Sequence, residues 1–435
     1  MKPAPAANPD GQPEGVTALE AATIRQISIR IVPFLIVCYF FAFISRTNAG
    51  LAALQMNQDV GLAPAAFGFG GSLFFVSYTL CGIPGNLAMV RVGARLWLGL
   101  MIVALSLTSL AMALVEGANS FYAVRFLLGA VEAGFFPGAV LYLTYWFPRA
   151  YRARIIAAFM VAIPLSSFLG SPLSAALLGL EGRGGLHGWQ WMFLLEALPI
   201  VLLGAMAFFL LPDSPASARW LRPDQVRWLA GRLAAEKKVS IQRVPLWKVL
   251  LDGRVLLLSL GYAAASAASN SLSLWQPQII QSFGLTNAQT GLLNAVPFGL
   301  GLVAMIVWGR HSDRTGERLL STALPLLLCA ISLSLTLVTN SLPATVVILC
   351  LALIGTYAIK GPFWALAADW MSTETAPTGI AAINTLAHVA TFGAIYLIGA
   401  IKSSTGSYPL ALLPLVVLGI AGASGLLLMG RRKEA

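Results

Sequence analysis

An arginine and a glutamate lie seven positions apart inside one long apolar run, at Arg125 and Glu132 of residues 121–148. Seven positions make nearly two helical turns, so both side chains would share one helix face, about 10 Å apart along the axis. The run is long enough to cross the roughly 30 Å hydrocarbon layer of a bilayer. Ionised side chains at that depth cost about 2.5–3.5 kcal/mol each and usually face a protein interior. The pair indicates a polar site within a membrane, with a plain ion pair that clamps two helices as the alternative.

Two further basic residues fall within apolar runs, Arg46 at the end of the first and Lys360 in the tenth. Together with Arg125 they set three positive charges against the negative charge of Glu132. A carboxylate regains its lost hydration through charge-assisted, often bidentate bonds to arginine, so these residues predict a site for an organic anion. Glu132 would act as a proton switch, because it competes for an arginine when ionised and releases that arginine when protonated.

Other polar side chains in apolar runs extend this candidate site. His388 lies one turn from Asn384, and an imidazole titrates near neutral pH, which suits substrate or proton binding; a packed histidine with satisfied hydrogen bonds is the alternative. Lys360 could instead extend along the helix so that its ammonium reaches the membrane interface. The remaining candidates for the pocket are Tyr78, Asn270, Gln276, Asn294 and Trp364.

The elements that must position these residues are membrane-spanning helices. Of the 435 residues 58% are hydrophobic and only 10% are charged, which lies far outside the composition of soluble proteins. Apolar windows of spanning length recur twelve times along the chain. They cover about residues 28–46, 67–88, 95–114, 119–147, 155–178, 189–211, 254–281, 290–309, 319–338, 342–369, 376–401 and 408–429.

One long polar segment separates six of these windows from the other six. Within it Val226, Leu229 and Leu233 recur at helical spacing, which predicts amphipathic helices on the inner membrane surface; a solvated linker is the alternative. The predicted division is a disordered cytoplasmic tail (1–27), an N-terminal six-helix bundle (28–211), the linker (212–253), a C-terminal six-helix bundle (254–430) and a short cytoplasmic tail (431–435).

The net charge of +11 is explained by where the basic residues lie. Lysine and arginine concentrate in the tails, the linker and alternate loops, and only Arg183 and Lys402 fall in the loops on the other side. This positive-inside asymmetry predicts that both termini are cytoplasmic. It argues against nucleic acid as a partner. No cleavable signal peptide is visible, so the first span would direct insertion into the cell inner membrane.

Nothing in the sequence favours catalysis or a bound cofactor. Cys38, Cys81, Cys329 and Cys350 lie in apolar runs at no metal-ligand spacing, which predicts packing residues. The histidines are scattered, and no glycine-rich phosphate loop precedes a lysine and a hydroxyl. We expect no enzyme, no cofactor and no metal site. A channel is disfavoured because the interior charges form no rings, whereas a sensor stays open.

The two halves repeat one pattern. A tight basic loop with a turn glycine follows both the second and the eighth windows, at residues 91–95 and 309–318. The fourth and tenth windows both carry glycine and proline near the middle, at residues 134–137 and 361–362. Matched interruptions in two halves indicate a transporter whose site lies at the midplane between them.

The chain resembles the major facilitator superfamily, in the form used by its anion:cation symporter family. The motifs that carry this resemblance are WGRHSDRTGER (308–318), RTNAG (46–50), RFLLG with EAGFFPG (125–129 and 132–138), YLTYWF (142–147), WQW with Glu196 (189–191), Trp275 with PQII (277–280) and GPFWA (361–365). The resemblance implies an all-α fold of twelve transmembrane helices in two bundles. It also implies transport of a small organic anion, such as tartrate, a sugar acid or an aromatic carboxylate, by symport with protons.

The resemblance assigns roles as well. It gives Arg125 and Glu132 the substrate and proton roles inferred above, and it favours Tyr78 and Trp364 as pocket residues. Asp313, Arg314 and Arg318 are expected to control the cytoplasmic gate by pairing with helix ends in one conformation. We expect a monomer embedded in lipid.

The sequence departs from the family at one informative place. Where the family usually ends its first helix with an Asp-Arg pair, this chain has Ser45 and Arg46, so one carboxylate implicated in proton coupling is missing. Lys360 adds a positive charge that is not a usual feature of the family. An uncoupled carboxylate facilitator or exchanger, or a proton-coupled drug exporter of the same fold, therefore remains an alternative.

Overall fold

The structure is a computed structural model that describes residues 14–237, 252–371 and 376–434. Within these ranges the chain is helical, and twelve helices are long and apolar enough to cross a membrane. We label them α1 to α12 in chain order. They are α1 Glu14–Asp59, α2 Pro64–Val92, α3 Ala94–Met112, α4 Ala118–Trp146, α5 Arg149–Leu178, α6 Gly188–Leu210, α7 Gly253–Gln281, α8 Asn287–Thr315, α9 Leu319–Leu337, α10 Leu342–Trp370, α11 Ala376–Thr405 and α12 Tyr408–Gly430.

Two of the helices are broken by proline. A proline lacks the N–H that would bond the carbonyl four residues earlier, and its ring clashes with that carbonyl. The carbonyls four residues before Pro164 and Pro362 belong to Met160 and Ala358. The first segments of α5 and α10 end at these two residues. The break at Pro362 lies where the sequence predicts an interruption. The one expected at Pro137 is not a break, since α4 runs through it.

The N-terminal tail is shorter than the sequence predicts. Helix α1 begins at Glu14, so residues 14–27 are helical and not part of a disordered tail. Ile24 and Ile27 are buried, and Gln26 Nε2 donates a hydrogen bond of 2.6 Å to the Trp220 carbonyl. This packing provides the apolar contacts that a tail would lack. Beyond its span, which ends at Gly430, the last helix likewise continues to Glu434, into the predicted C-terminal tail. Residues 1–13 lie outside the described ranges.

The linker contains a helix at Pro223–Lys237, which we call the linker helix. Leu229 is buried and Arg227 is exposed, as its amphipathic spacing predicts. It packs against the N-terminal half of the chain: Glu236 forms a 3.0 Å ion pair with Arg152 at the start of α5. The linker helix therefore packs on the rest of the protein. This disfavours a freely solvated linker along the length of this helix. Residues 238–251 of the predicted linker lie outside the described ranges.

Helices α1–α6 pack on one another, as do α7–α12, and the two bundles meet where α1 contacts α7, α2 contacts α11 and α5 contacts α8. An even number of spans puts the start of α1 and the end of α12 on one side, the tail side; the other is the far side. Glycines at residues 50, 291 and 399 allow close inter-bundle contacts in the far half, since a Cβ at any of them would lie within 2.7 Å of an atom of the other bundle. The bundles are therefore closed against each other at the far side.

Candidate functional site

A cavity of about 570 Å³ lies between the bundles. Its lining residues come from α1, α2, α4, α5, α7, α10 and α11, and apart from Ser273 they lie at mid-depth or in the tail-side half of each helix. The cavity therefore opens toward the tail side while the far side is closed. Its volume falls within the range of about 300–1,000 Å³ that holds small molecules. Five of the predicted substrate-binding residues line it: Arg46, Tyr78, Lys360, Asn384 and His388.

Arg46 joins the two bundles at the deep end of this cavity. Its guanidinium forms a 3.0 Å ion pair with the Glu132 carboxylate of the same bundle. It also donates a 2.9 Å hydrogen bond to Oδ1 of Asn270 on α7, in the other bundle. Arg46 thus reaches both halves of the molecule from α1. Asn270, a pocket candidate from sequence, also lines the cavity.

Arg125 lies just beyond Arg46, where it lines a small adjoining cavity with Arg46 and Asn270. Its side chain is 3% exposed, and it donates a 3.3 Å hydrogen bond to the backbone carbonyl of Arg46. The Phe74 ring centroid lies 4.5 Å from the guanidinium carbon of Arg46 and 5.5 Å from that of Arg125. Each such cation–π contact contributes about 0.5–2 kcal/mol, which partly offsets the repulsion of two neighbouring cations.

Glu132 pairs with Arg46 and not with Arg125. Among the described residues no ion pair joins the two side chains of α4, although they share a helix face. The carboxylate is 1% exposed, and its Oε2, like Nε of Arg125, is buried without a hydrogen-bond partner within the described ranges. A buried polar atom without a partner is costly, and these two belong to charged groups of one cluster. A plain helix clamp does not account for them.

Lys360 follows the break in α10 and lines the cavity. Its ammonium lies 4.3 Å from the ring centroid of Tyr357. Within the described part of the chain no carboxylate lies within ion-pair distance of it. The lysine therefore faces the space between the bundles, which disfavours the alternative that it extends to the membrane interface.

His388 and Tyr78 form part of the wall where α11 meets α2. Their rings meet edge to face with centroids 4.9 Å apart, and His388 Nδ1 lies 3.4 Å from Oγ1 of Thr79. Both line the cavity, as does Asn384 one turn earlier on α11. His388 thus makes packing contacts and also faces the cavity. Its contacts fit both a packed histidine and a residue that binds substrate or a proton.

Three other candidates lie away from the cavity lining. Trp364 packs behind the wall, with its ring centroid 4.9 Å from that of the lining residue Tyr262. Gln276 and Asn294 are buried at the inter-bundle contact in the far half. Gln276 Nε2 donates to Asn294 Oδ1 at 2.9 Å, and Asn294 Nδ2 donates to Ser171 Oγ of the other bundle at 2.9 Å. These two amides join α7, α8 and α5 and are not pocket residues in this conformation.

The expected gate residues lie on the tail side. Arg318, in the loop after α8, pairs with Asp313 in the last turn of that helix at 2.7 Å and donates to Ser312 Oγ at 3.1 Å. Arg314 lies in the same turn and is exposed. Arg318 thus pairs with the end of α8 while the cavity is open on this side.

Tyrosines form a part of the site that sequence reasoning missed. Tyr39, Tyr262 and Tyr357 all line the cavity. A signal existed on α7, where the lining residues Tyr262, Ser266, Ser269, Asn270 and Ser273 recur every three or four positions, the spacing of one helix face. No group of three or more metal-ligating side chains occurs in the residues that the structure describes.

Comparison with known proteins gives consistent matches. Residues 35–395 match the family model of the Major Facilitator Superfamily. The chain is 44% identical to a putative tartrate transporter of Agrobacterium vitis over 90% of each chain. It is 36% identical to a quinolone resistance transporter of Acinetobacter baumannii, over 93% of this chain and 94% of that one. A crystal structure of a bacterial homologue of the human lysosomal transporter Spinster, inward-facing and occupied, superposes with a TM-score of 0.77 at 16% identity, covering 92% of this chain and 96% of the other.

Proposed function

Because this chain belongs to the major facilitator superfamily, as a multi-pass membrane transporter and not an enzyme, we propose that it takes up a small organic anion by proton symport with alternating access. The chain acts in the cell inner membrane as a monomer with both termini in the cytoplasm. The tail side is then the cytoplasmic side, and the conformation described above is inward-open. A similar protein bears the name tartrate transporter, which supports a carboxylate as substrate.

The observation that carries this proposal is the set of cations around the cavity. Arg46 and Lys360 line it from opposite bundles, and Arg125 lies directly behind Arg46. Only one carboxylate, Glu132, pairs with these groups within the described ranges. An anion with two acidic groups, or with one acid and several hydroxyls, can contact both bundles at once, which suits a mono- or dicarboxylate. The amide of Asn384 and the hydroxyl of Tyr78 add neutral hydrogen-bonding groups.

Proton coupling follows from the competition for Arg46. When Glu132 is ionised it holds the guanidinium at 3.0 Å. When Glu132 takes up a proton, that charge-assisted bond weakens and Arg46 becomes available to a carboxylate. Substrate and proton therefore favour each other's binding, and such coupling is reciprocal.

The test is uptake of labelled tartrate, with a panel of sugar acids and aromatic carboxylates, into proteoliposomes with and without an imposed proton gradient. We expect Arg125→Gln to abolish anion binding and Glu132→Gln to keep exchange while losing uphill accumulation. Arg227→Gln, an exposed charge on the linker helix, is the matched control and should behave as wild type. Full binding by Arg125→Gln would contradict the site, and accumulation by Glu132→Gln would contradict the proton role.

A drug exporter is the second candidate, because one relative is named a quinolone resistance transporter. Aromatic rings in the lining, such as Tyr39, Phe43 and Tyr262, are compatible with a flat ring system. A thermal-shift screen that compares carboxylates with quinolones separates the two candidates. An uncoupled facilitator would equilibrate the anion but would not concentrate it when the proton gradient is imposed.

A further inference from the structure

A second buried acid lies in the N-terminal bundle, away from the cavity. Glu196 on α6 is 3% exposed, and with Glu132 it is one of the two acidic residues among those described that are buried. Neither cavity includes it. Its position eight residues after the start of α6 puts it in the far half of the membrane. None of the roles proposed above uses this residue.

Among the described residues, no cation lies beside Glu196. Three helices pack on α6, namely α1, α3 and α5. Helix α3 carries one charged residue, Arg95, at its tail-side end, and the far-half segment of α5, Ala162–Leu178, carries none. On α1, Arg46 is engaged by Glu132 and Asn270, and Asp59 accepts from Trp189 Nε1 at the far end. An ionised Glu196 would therefore be a buried charge without a partner, which is strongly unfavourable.

The hydrogen bonds around Glu196 are consistent with a protonated acid. Its Oε1 lies 2.6 Å from Ser174 Oγ, which in turn lies 3.2 Å from Asn48 Oδ1. A hydroxyl has one proton to donate. If Glu196 donates to Ser174, the hydroxyl of Ser174 is free to donate to Asn48, and both contacts are satisfied. In the other orientation of the Asn48 amide, Asn48 would donate to Ser174 and Ser174 would donate to an ionised Glu196. The Glu196 carboxylate would then have a single hydrogen bond and no cation.

This chain of three residues leads to the contact between the bundles. Asn48 lies two residues from Gly50, where a Cβ would come within 2.7 Å of the Ser273 carbonyl on α7. Ser174 lies one turn after Ser171, which accepts the inter-bundle hydrogen bond from Asn294. The amide nitrogen Nδ2 of Asn48 is buried with no hydrogen-bond partner among the described residues. Separation of the bundles at the far side would therefore bring water next to Asn48 and Ser174.

We propose that Glu196 is a second proton-binding site, loaded from the far side, whose protonation permits the far side to close. Closing buries the carboxyl, so it favours the neutral acid; opening lets water solvate the ionised form. On closure the carboxylate takes a proton from hydronium in far-side water and leaves a water molecule; on reopening it returns that proton to the same side. This proton is distinct from the one that Glu132 is proposed to couple to transport, and the inference rests on the alternating access proposed above.

Infrared spectroscopy of the purified full-length protein tests the protonation directly. We expect a C=O stretching band of a protonated carboxylic acid that disappears in Glu196→Gln and shifts in Ser174→Ala, which keeps the acid but removes its hydrogen-bond partner. A spectrum in which neither substitution changes such a band would overturn the proposal. If Glu196→Gln does not fold, the shift in Ser174→Ala decides the question.

Exchange of labelled anion in proteoliposomes tests the link to closure. In wild type the exchange rate should fall as the far-side pH rises, by up to about tenfold per pH unit for one linked proton. Glu196→Gln should lose this dependence and keep the rate seen at low pH. His187→Gln, which removes another titratable group on the far side, should keep it. A wild-type profile in Glu196→Gln would overturn the proposal. Loss of gradient-driven accumulation in wild type would contradict proton symport alone, because exchange and the infrared band do not depend on it.

Discussion

At the scale of single residues, the site depends on how charges are held in a membrane interior. The ring of Phe74 lies close to the guanidinium groups of both Arg46 and Arg125, and Glu132 neutralises the first of these. Arg125 has no carboxylate of its own among the described residues. Its charge is therefore the less compensated of the two, which makes it the stronger attractant for an anion and the more costly group to keep buried.

A titratable cluster outside the spans gives a prediction on pH. His187 Nδ1 lies 2.8 Å from Glu181 and 3.3 Å from Asp59. The hydrogen bond to Glu181 raises the pKa of His187 above its ordinary value of 6.5, and the backbone N–H of Gly188 lowers the pKa of Glu181 below 4.5. The histidine stabilises the fold fully below pH 6.5 and less as the pH rises through its folded pKa. The glutamate stabilises it fully above pH 4.5 and less as the pH falls through its folded pKa.

The two contributions overlap between pH 4.5 and 6.5. We expect His187→Gln to lower the melting temperature by a small amount in that window, because the cluster is largely exposed and screened by solvent. The difference from wild type should shrink at pH values well above the folded pKa of His187. Melting curves of both proteins across the pH range check this, and an equal difference at all pH values would contradict it.

Residue types in apolar runs revealed the charged part of the site and some of its uncharged lining, such as Tyr78 and His388, but not all of it. Arg46, Arg125 and Lys360 could be found because a charge in a spanning window is rare and needs a protein interior. Tyr357 could not, because a tyrosine in such a window is equally suited to a packed core or an interface. Which carboxylate pairs with which arginine also required the structure, since Glu132 bonds across to α1 and not along its own helix.

At the scale of helices, hydropathy predicted the twelve spans to within a few residues, except where α1 extends at both ends, where α5 begins before its window at Arg149 and where α8 continues past its window to Thr315. Helix ends beyond the apolar core depend on contacts that hydropathy does not contain, such as that of Gln26 with the Trp220 carbonyl. Proline positions were partly informative. Pro362 breaks α10 whereas Pro137 leaves α4 continuous, and neighbouring helices decide between these outcomes.

Close helix contacts at glycine give a second prediction. A Cβ at Gly399 of α11 would lie 2.5 Å from the Pro64 carbonyl of α2, whereas one at Gly393 of the same helix meets nothing within 4 Å. We expect Gly399→Leu to prevent far-side closure and reduce exchange at least tenfold, because a rigid backbone group is in the way. Gly393→Leu, the matched control, should exchange at the wild-type rate. Equal rates in the two variants would show that the contact does not limit closure.

At the scale of the whole molecule, the sequence predicts two bundles but not their relative position. Gln276 and Asn294 illustrate the limit: polar side chains in apolar runs suit a pocket and an inter-bundle contact equally well. In the structure they are buried with Ser171 in the closed far half. Alternating access, as proposed above, would give one chain several arrangements of its two bundles, and local patterns carry little information on which arrangement is populated.

The opening of the cavity toward the tail side gives a third prediction. Thr385 of α11 lines the cavity and is exposed, whereas Thr391 of the same helix is fully buried. In a background with Cys81→Ser, we expect Thr385→Cys to react with a membrane-impermeant thiol reagent added from the tail side, and Thr391→Cys to resist it. A transported anion should slow the reaction. Labelling of both positions, or of neither, would contradict the described opening.

The bond from Arg46 to Asn270 has a consequence for the empty carrier. One guanidinium bonds both bundles at once, through Asn270 on one side and Glu132 on the other. Under the proposed function, an anion that binds Arg46 would replace the bond to Asn270. The bundles would then be joined by the protein's own side chains when no substrate is bound, and substrate binding would itself remove that connection.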